Sequence, residues 1–328
     1  MHAAFRPLVL AAKCAAAACL AGAVCAQSPA QFPDKPVRFI LGFAAGGPTD
    51  LSVRALAAAG GRQLGQTLVV SNLTGAGGTL AMAELARSPA DGYTISMTTT
   101  SYKAMTAHTQ KAAFDMEELR TLLGYAEFRH LMFVKADAPW ATLEDLFAYG
   151  RANPGALKFG HPGPGTSPQL LGLLLFRSAG VQVTDVPYRG SSEFTNAVLG
   201  GHTSLAFIDI AGIRALARAG SVRLLVAVTP QRFSDFPDVP TALEKGIQGP
   251  ELFNPMVGVA IRRGTPPERI KRLHDALKRA AEDPEFVKSL NDIGLKSGYI
   301  APEAFDETVT RAEARALPLL KELKLVAQ

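Results

Sequence analysis

Short apolar runs alternate with amphipathic helical patterns along most of the chain. The apolar run 37–43 has the length of a buried strand, and Leu51, Ala55 and Ala59 then recur on one helical face. Strands that alternate with helices in this way predict an α/β protein with mixed, mostly parallel sheets flanked by helices.

The same pattern predicts further elements on both sides of the chain centre. Strands are predicted at 67–71, 93–100, 131–135, 157–160, 181–186, 204–210, 223–229 and 256–261. Helices are predicted at 79–87, from Thr142 to about Asn153, at 169–179, from Ser192 to Gly200, and at 213–219, 267–282, 284–293 and 302–323.

Several element boundaries follow from capping signals and glycines. The first helix is expected to end or bend at Gly60-Gly61, because a glycine inside a helix costs about 1 kcal/mol relative to alanine. Capping boxes are predicted at 142–145 and 265–268, and Ser167 is the predicted N-cap before Pro168. Residues 101–130 show no clear period beyond a short helical stretch near Met105.

A glycine-rich turn at 44–48 joins the first strand to its helix. Such a turn directs unpaired N–H groups outward, and the helix dipole adds about half a positive charge there. The turn lacks the lysine and hydroxyl of a P-loop and the Gly-x-Gly-x-x-Gly of a dinucleotide site. It therefore predicts a seat for a small anion such as a carboxylate; a tight connection that binds nothing is the alternative.

Two more glycine turns, at 75–78 and 163–166, also follow predicted strands and precede helices. Ligands in α/β sheets bind beyond the carboxyl ends of the strands, where such turns converge. Because two of the three turns lie in the first third of the chain and one in the middle, two domains could each present a helix start to one cleft.

The composition narrows the class of protein. Arg6, Lys13 and the apolar stretch 14–24 predict an export signal, cleaved near Ala26 and too short to span a bilayer. All three cysteines lie in that segment, so the exported chain would have no disulfide and no cysteine metal site. The net charge of +5 falls to +3 without it, and the scattered cations argue against nucleic-acid binding.

The search for catalytic chemistry yields few candidates. The histidines have no metal-ligand spacing, and neither a Gly-x-Ser-x-Gly elbow nor a cysteine nucleophile is present, so no cofactor is expected. His161 could contact a ligand but is interpreted as a surface loop histidine, and Asp50 is interpreted as a residue that stabilises its own helix start rather than one that serves a ligand. Asp209, at the end of an apolar strand, needs a partner that is either a ligand or part of the structure.

Seven segments together resemble one family. They are PDKPVRFILGFAAGGPTD (33–50), NLTGAGGT (72–79), SPADGYT (88–94), GPGTSPQL (163–170), VPYRGSSE (186–193), LAFIDIAG (205–212) and FPDVPTALEKG (236–246). In this order and spacing they are similar to the tripartite tricarboxylate transporter substrate-binding family, also called the Bug family of periplasmic solute receptors. The resemblance covers 32–323.

The resemblance implies a two-domain periplasmic binding protein of the second type, with domain I at 27–130 and 227–328 and domain II at 131–226. It also implies a cleft that holds a carboxylate through backbone amides and bridging waters. The implied ligand-binding residues are Ala45, Gly46, Gly47, Thr49, Asp50, Gly77, Gly78, Thr99, Ser101, Gly165, Thr166, Ser167, Arg189, Ser191 and Asp209.

The chain departs from the family pattern at Ile210, at Leu252-Phe253-Asn254 and in the segment 101–115. These positions belong to the distal part of the implied pocket, so the identity of the acid stays open among di- and tricarboxylates, acidic amino acids and aromatic acids.

The sequence as a whole predicts a monomeric periplasmic receptor, not an enzyme, that delivers a small organic acid to a membrane permease. A periplasmic sensor that signals to a membrane kinase is the alternative with the same fold. A hydrolase or transferase with Asp50 or Asp209 as general base is a third hypothesis.

Overall fold

The computed structural model describes residues 32–110, 114–247 and 254–327. The described helices and strands belong to one compact unit, Lys35–Gln328. The predicted export signal, residues 1–26, lies outside the described residues, as do Leu252 and Phe253.

The described strands form two sheets. Their bounds are β1 Val37–Leu41, β2 Leu68–Asn72, β3 Thr94–Thr99, β4 Leu119–Glu127, β5 His130–Lys135, β6 Leu157–His161, β7 Val183–Pro187, β8 Leu205–Asp209, β9 Val222–Ala227, β10 Met256–Arg262 and β11 Lys296–Ile300. The first sheet has the order β11-β4-β10-β3-β1-β2, and the second has the order β7-β6-β8-β5-β9.

Both sheets are mixed, as predicted, but the expectation of mostly parallel pairing was wrong, because five of the nine pairs of described strands are antiparallel. In the first sheet β1 pairs in parallel with β2 and β3, and in the second β6 pairs in parallel with β7 and β8. The pairs β10 with β3, β10 with β4, β11 with β4, β5 with β8 and β5 with β9 are antiparallel. The parallel strands are the ones that feed the glycine turns.

Helices flank both sheets. The helices of eight residues or more are α1 Pro48–Leu64, α2 Thr79–Arg87, α3 Leu143–Ala152, α4 Ser167–Ser178, α5 Ser191–Leu199, α6 Ile210–Arg218, α7 Pro267–Glu282, α8 Pro284–Ile293 and α9 Pro302–Glu322. Most of the core consists of their apolar faces and the strands they cover, such as Phe176 of α4 against Phe159 and Phe207 of the second sheet.

The chain passes between the sheets twice, once between β4 and β5 and once between β9 and β10. These passages lie near the predicted domain boundaries at 130 and 226. The division into two domains with those limits stays a prediction, because the contacts join Lys35–Gln328 into one compact unit.

The prediction that the first helix ends or bends at Gly60-Gly61 was wrong about its end, because α1 continues to Leu64. The glycines are needed for packing rather than for a break. A Cβ at Gly60 would lie 2.7 Å from Leu277 Cδ2 and 3.1 Å from Leu68 Cδ1. The close approach of α7 to α1 therefore offsets the low helix propensity of glycine.

Capping was predicted correctly once and wrongly twice. At α3 the Thr142 side chain accepts from the Asp145 N–H and Asp145 reaches back to the Thr142 N–H, which is the predicted capping box. At α4 the N-cap is Thr166 rather than Ser167. At α7 the N-cap is Pro266 without a side-chain bond, because Thr265 Oγ1 donates to Arg262 O.

Two strands of the first sheet were missed by the sequence analysis. Residues 101–130, which showed no clear period, contain a π-helical segment at Tyr102–Thr106 and the nine-residue strand β4. The strand is buried on both faces, so it shows no alternation of polar and apolar residues. The edge strand β11, LysSerGlyTyrIle, was missed because its residues are half-buried or exposed.

Candidate ligand-binding site

One cavity lies where the carboxyl ends of β1, β3 and β8 meet the starts of several helices. Its volume is about 80 Å³, which is room for several water-sized groups. Residues from both sheets line it, for example Gly78 and Thr99 from the first and Thr166 and Asp209 from the second. The converging glycine turns of the sequence analysis therefore surround a common space.

Four helices begin at this cavity without a side-chain cap. The N-cap residues of α1, α2, α4 and α5 are Gly47, Gly78, Thr166 and Gly190, and none forms a side-chain bond to the first turn. By contrast, α3 and α8 are capped by the side chains of Thr142 and Asp283. Because the first N–H groups of a helix have no partner within it, these uncapped starts direct donors and partial positive charge to the cavity. At α2 the first of these groups, the Thr79 N–H, already donates to Ala76 O.

Loops from the two sheets contact each other around the cavity. The N–H of Ala44 donates to Arg189 O at 3.1 Å, and Ser192 Oγ donates to Ala45 O at 3.1 Å. On another side of the cavity, Thr106 Oγ1 donates to Gly165 O at 2.9 Å. These bonds join the turns that precede α1 and α4 to elements of the opposite sheet.

A second bridge uses one amide side chain. Gln110 Nε2 lies 3.0 Å from Ala76 O and 3.1 Å from Pro164 O, so it donates to both turns. Gly77, which follows Ala76 in this contact between the two turns, has a φ of +61°. A Cβ added to Gly77 would lie 2.7 Å from Pro164 O. Only glycine meets both requirements, since other residues rarely adopt this φ and would clash.

The structure brings ten of the fifteen predicted site residues into the cavity lining. They are Gly47, Thr49, Gly77, Gly78, Thr99, Ser101, Thr166, Ser167, Ser191 and Asp209. Five predicted residues lie outside the described lining: Ala45, Gly46, Asp50, Gly165 and Arg189. That the ten touch a ligand stays a prediction.

Each of the five outlying residues has a physical reason for its position. Ala45 and Gly46 are exposed, and Gly165 packs against Thr106 instead of facing the cavity. The Arg189 side chain is 72% exposed and forms an ion pair with Glu193 at 2.7 Å. Its carbonyl serves the loop contact with Ala44, and its predicted contact with a ligand stays a prediction.

Asp50 holds the first turn in place. Its carboxylate accepts from the Gly46 N–H at 3.1 Å, from Arg54 Nε at 2.9 Å and from Asn72 Nδ2 at 3.0 Å. Burial raises the pKa of Asp50, but these hydrogen bonds and the Arg54 charge outweigh it, so the pKa is lowered overall. Asp50 is thus a structural anion at the start of α1.

Asp209 has the structural role that the sequence left open, and it also lies in the cavity lining. One carboxylate oxygen accepts from the Ala211 N–H at 2.8 Å and caps α6, and the other accepts from the Arg129 N–H. The residue also lines the cavity and is 3% exposed. Burial raises the pKa of Asp209 to about 7, although the two N–H groups and the charges of Arg129 and Arg214 lower it.

The interpretation of His161 as a surface histidine was wrong, because the residue is fully buried at the end of β6. The Gly163 N–H donates to His161 Nδ1 at 3.1 Å, and Nε2 lies 2.5 Å from Asp185 Oδ1. Asp185 also accepts from Gln169 Nε2 at 2.8 Å. Burial raises the pKa of Asp185, but the contacts with His161 and Gln169 lower it by more, so the pKa is lowered overall.

This network fixes the turn before α4. Gln169 Oε1 accepts from the Gly165 N–H at 2.7 Å, and Thr166 Oγ1 donates to Gly163 O at 2.7 Å. His161 and Gln169 therefore hold the backbone of 163–166 from below the cavity. They position the N–H groups of the helix start without lining the cavity themselves.

The apolar part of the lining was not predicted from the sequence. It consists mainly of Phe43, Met82, Met97, Phe128, Phe194, Phe207 and Ile208. Phe128 comes from the connection after β4, the strand that was not predicted, and His130 is the first residue of β5. Thr98 could have been found, because it belongs to the hydroxyl-rich end of the predicted third strand.

Besides Tyr102 Oη, two hydroxyls in the lining have no hydrogen-bond partner among the described residues. They are Thr98 Oγ1 and Ser167 Oγ, and their residues are 2% and 1% exposed. Because a buried hydroxyl without a partner costs about 1–3 kcal/mol, both favour a polar group in the cavity.

The described residues hold neither a metal-binding cluster nor a helix able to span a membrane. Residues 32–110, 114–247 and 254–327 contain no cluster of three or more His, Cys, Asp or Glu side chains that could hold a metal ion. Within the same residues, no helix combines the length and apolar character that crossing a bilayer requires.

Comparison with known proteins gives a consistent result. The family model described as the tripartite tricarboxylate transporter family receptor, TctC, matches residues 52–325. A UPF0065 protein from the gbd 5′ region of Cupriavidus necator is 32% identical, over 96% of this chain and 97% of the relative.

Solved structures of similar fold include BugD and Rpa4515. The structure of periplasmic binding protein BugD has a TM-score of 0.84 and 26% identity, and it covers 90% of this chain and 100% of BugD. Rpa4515 of R. palustris, solved with adipate, has a TM-score of 0.82 and 27% identity over 88% of this chain and 97% of its own. With its two mixed sheets, its glycine turns and this match over most of its length, the chain belongs to the tripartite tricarboxylate transporter receptor (TctC) family.

Proposed function

We propose that this chain is a periplasmic solute-binding protein that captures a small carboxylate-bearing metabolite in the cavity between its two sheets. The single observation that carries the proposal is the convergence of four uncapped helix starts on one cavity. Unpaired N–H groups at the end of a helix dipole bind carboxylates and other anions. Adipate, with which Rpa4515 of R. palustris was solved, also carries carboxylate groups.

The ten lining residues predicted from the sequence are the proposed contacts of the ligand. The N–H groups near Gly47, Gly78 and Thr166 would bind the carboxylate, while Ser167 and Thr98 supply hydroxyls. The loop contacts between the sheets would keep water away from the bound acid, and this strengthens each electrostatic interaction. Release would require those contacts to open.

The proposed partner is the membrane permease of a tripartite tricarboxylate transporter, because the family is that of its receptors. We propose that the chain acts in the periplasm as a monomer and returns its ligand unaltered. A pull-down from membranes with the liganded protein tests the partner: recovery of a sensor kinase in place of a permease would favour the sensor hypothesis.

Thermal unfolding with a panel of carboxylates tests the binding function. A ligand at 100 times its Kd stabilises the folded state by about 2.7 kcal/mol, so the cognate acid raises the Tm. Absence of a Tm shift with every di-, tri- and monocarboxylate tested would contradict the proposal.

A matched pair of glycine variants tests the location. Both Gly77→Ala and Gly65→Ala place alanine at positive φ, +61° and +77°, which costs about 1–2 kcal/mol. Only at Gly77 does the new Cβ meet the opposite loop, 2.7 Å from Pro164 O, whereas nothing lies within 4 Å at Gly65. We expect Gly77→Ala to lose the ligand-induced Tm shift and Gly65→Ala to keep it; equal shifts in both variants would contradict the assigned site.

A further inference from the structure

We propose that the ligand is a monocarboxylate with an apolar, uncharged body, and not a di- or tricarboxylate. The inference rests on the proposed function, because it names the class of acid that the same cavity takes. Three features of the described lining carry it: its apolar side chains, its lack of cationic side chains, and the position of its one carboxyl group.

Apolar side chains form most of the lining away from the four helix starts. The bulky ones are Phe43, Met82, Met97, Phe128, Phe194 and Ile208, and they come from both sheets. All but Phe43 are less than 9% exposed. A ligand body against these groups gains from the removal of apolar surface from water, whereas a charged group there would lose its hydration without compensation.

No lysine or arginine is found in the described part of the lining. Three nearby cations bind elsewhere. Arg129 Nη2 donates to Gly294 O, Lys103 Nζ donates to Thr121 Oγ1 at 2.8 Å, and exposed Arg189 pairs with Glu193. The positive potential of the cavity therefore comes from the helix starts, which suits one carboxylate.

Asp209 adds negative charge to the same lining. Its two oxygens accept the N–H groups of Ala211 and Arg129, and the Arg129 and Arg214 side chains lie close enough to act on its charge. His130, its register partner on β5, also lines the cavity. When Asp209 is ionised, a second ligand carboxylate in this small cavity is repelled, because like charges interact strongly where water is excluded.

The unpartnered hydroxyls of Ser167 and Thr98 also favour a ligand with a single carboxylate. Ser167 belongs to the first turn of α4, so its Oγ can donate to a carboxylate bound at that helix start. Thr98 Oγ1 offers one further neutral hydrogen bond. Two neutral donors complete the solvation of one carboxylate, but they do not replace the hydration shell of a second.

Two pairs of acids that differ only by a carboxylate test the inference: hexanoate with adipate, and benzoate with terephthalate. Binding of each is measured by calorimetry at pH 8 with the full exported chain. We expect each monocarboxylate to bind at least tenfold more tightly than its dicarboxylate partner. Tighter binding of adipate and terephthalate would overturn the inference while leaving the proposed function intact; binding of none of the four, nor of citrate or malate, would overturn both.

Two N-cap variants test the role of Asp209. Asp209→Asn keeps the cap of α6 and removes the charge, so the preference for hexanoate over adipate should fall at least threefold. Asp283→Asn makes the same change at the N-cap of α8, which is not part of the described lining, and should keep the wild-type preference. A preference for hexanoate over adipate that is unchanged in Asp209→Asn would refute the electrostatic part of the inference. If that variant does not fold, the preference measured for the wild-type protein decides the inference.

Discussion

The buried carboxyl of Asp209 makes the stability of this protein depend on pH in an unusual direction. Most carboxylates in folded proteins are stabilised as anions, so that stability falls in acid. Burial instead raises the pKa of Asp209 to about 7, from 3.8 in the absence of the fold. Between these two values the folded state binds one more proton than the unfolded state, and stability must therefore fall as the pH rises.

The magnitude follows from the two pKa values. With a slope of about 1.4 kcal/mol per pH unit, the Asp209 contribution to the free energy of unfolding falls by about 3 kcal/mol from pH 5 to pH 8. It levels off above the folded-state pKa of about 7. Asp209→Asn has no such titration, so the stability of wild type relative to this variant should fall by that amount.

Urea unfolding of both proteins at pH 5, 6, 7 and 8 measures the difference. The variant also loses the bond from the Arg129 N–H to the second oxygen, but this offset does not change with pH. Asp50→Asn is the control, because the pKa of Asp50 is lowered and its contribution is constant over this range. If the difference in unfolding free energy between wild type and Asp209→Asn is as independent of pH as the difference for Asp50→Asn, the reasoning is refuted.

Two further predictions concern packing and positioning. Gly60→Ala should destabilise the protein by about 1 kcal/mol in urea unfolding despite the better helix propensity of alanine, because its Cβ would lie 2.7 Å from Leu277 Cδ2 and overpacking outweighs the gain; a stabilised variant would show that α7 can shift. Asp185→Asn should lower stability by about 1 kcal/mol at pH 7 and weaken carboxylate binding, because His161 and Gln169 lose the group that holds the turn at 163–166. Since the pKa of Asp185 is lowered from 3.8, its stabilisation decreases as the pH falls below about 4 and disappears below the folded-state pKa, and a difference that does not shrink between pH 5 and pH 3 would contradict this role.

The accuracy of the sequence predictions followed the range of the interactions involved. The βα units and the capping box at Thr142 depend on neighbours within a few residues, and they were predicted correctly. The Gly60-Gly61 pair was misinterpreted because its reason is Leu277, more than two hundred residues away. His161 was misplaced for the same reason, since its partner Asp185 lies on the adjacent strand β7.

For the site, the glycine turns were visible in the sequence and the walls of the cavity were not. Ten of the fifteen predicted residues line the cavity, because a helix start after a parallel strand has a fixed direction relative to its sheet. Arg189 illustrates the limit: a motif places the residue in the turn, but competition from Glu193 decides where its side chain points.

The sequence by itself determined the alternating elements, the turns that end in unpaired N–H groups and the family to which these turns belong. Those features follow from local backbone geometry, which a few consecutive residues specify. Only the tertiary structure decided that the turns of two sheets meet, that Phe128 and Met97 lie beside them and that Asp209 is buried among them. Burial and the contacts between distant segments exist only once the chain has packed, and they set the charge and the polarity that a ligand meets.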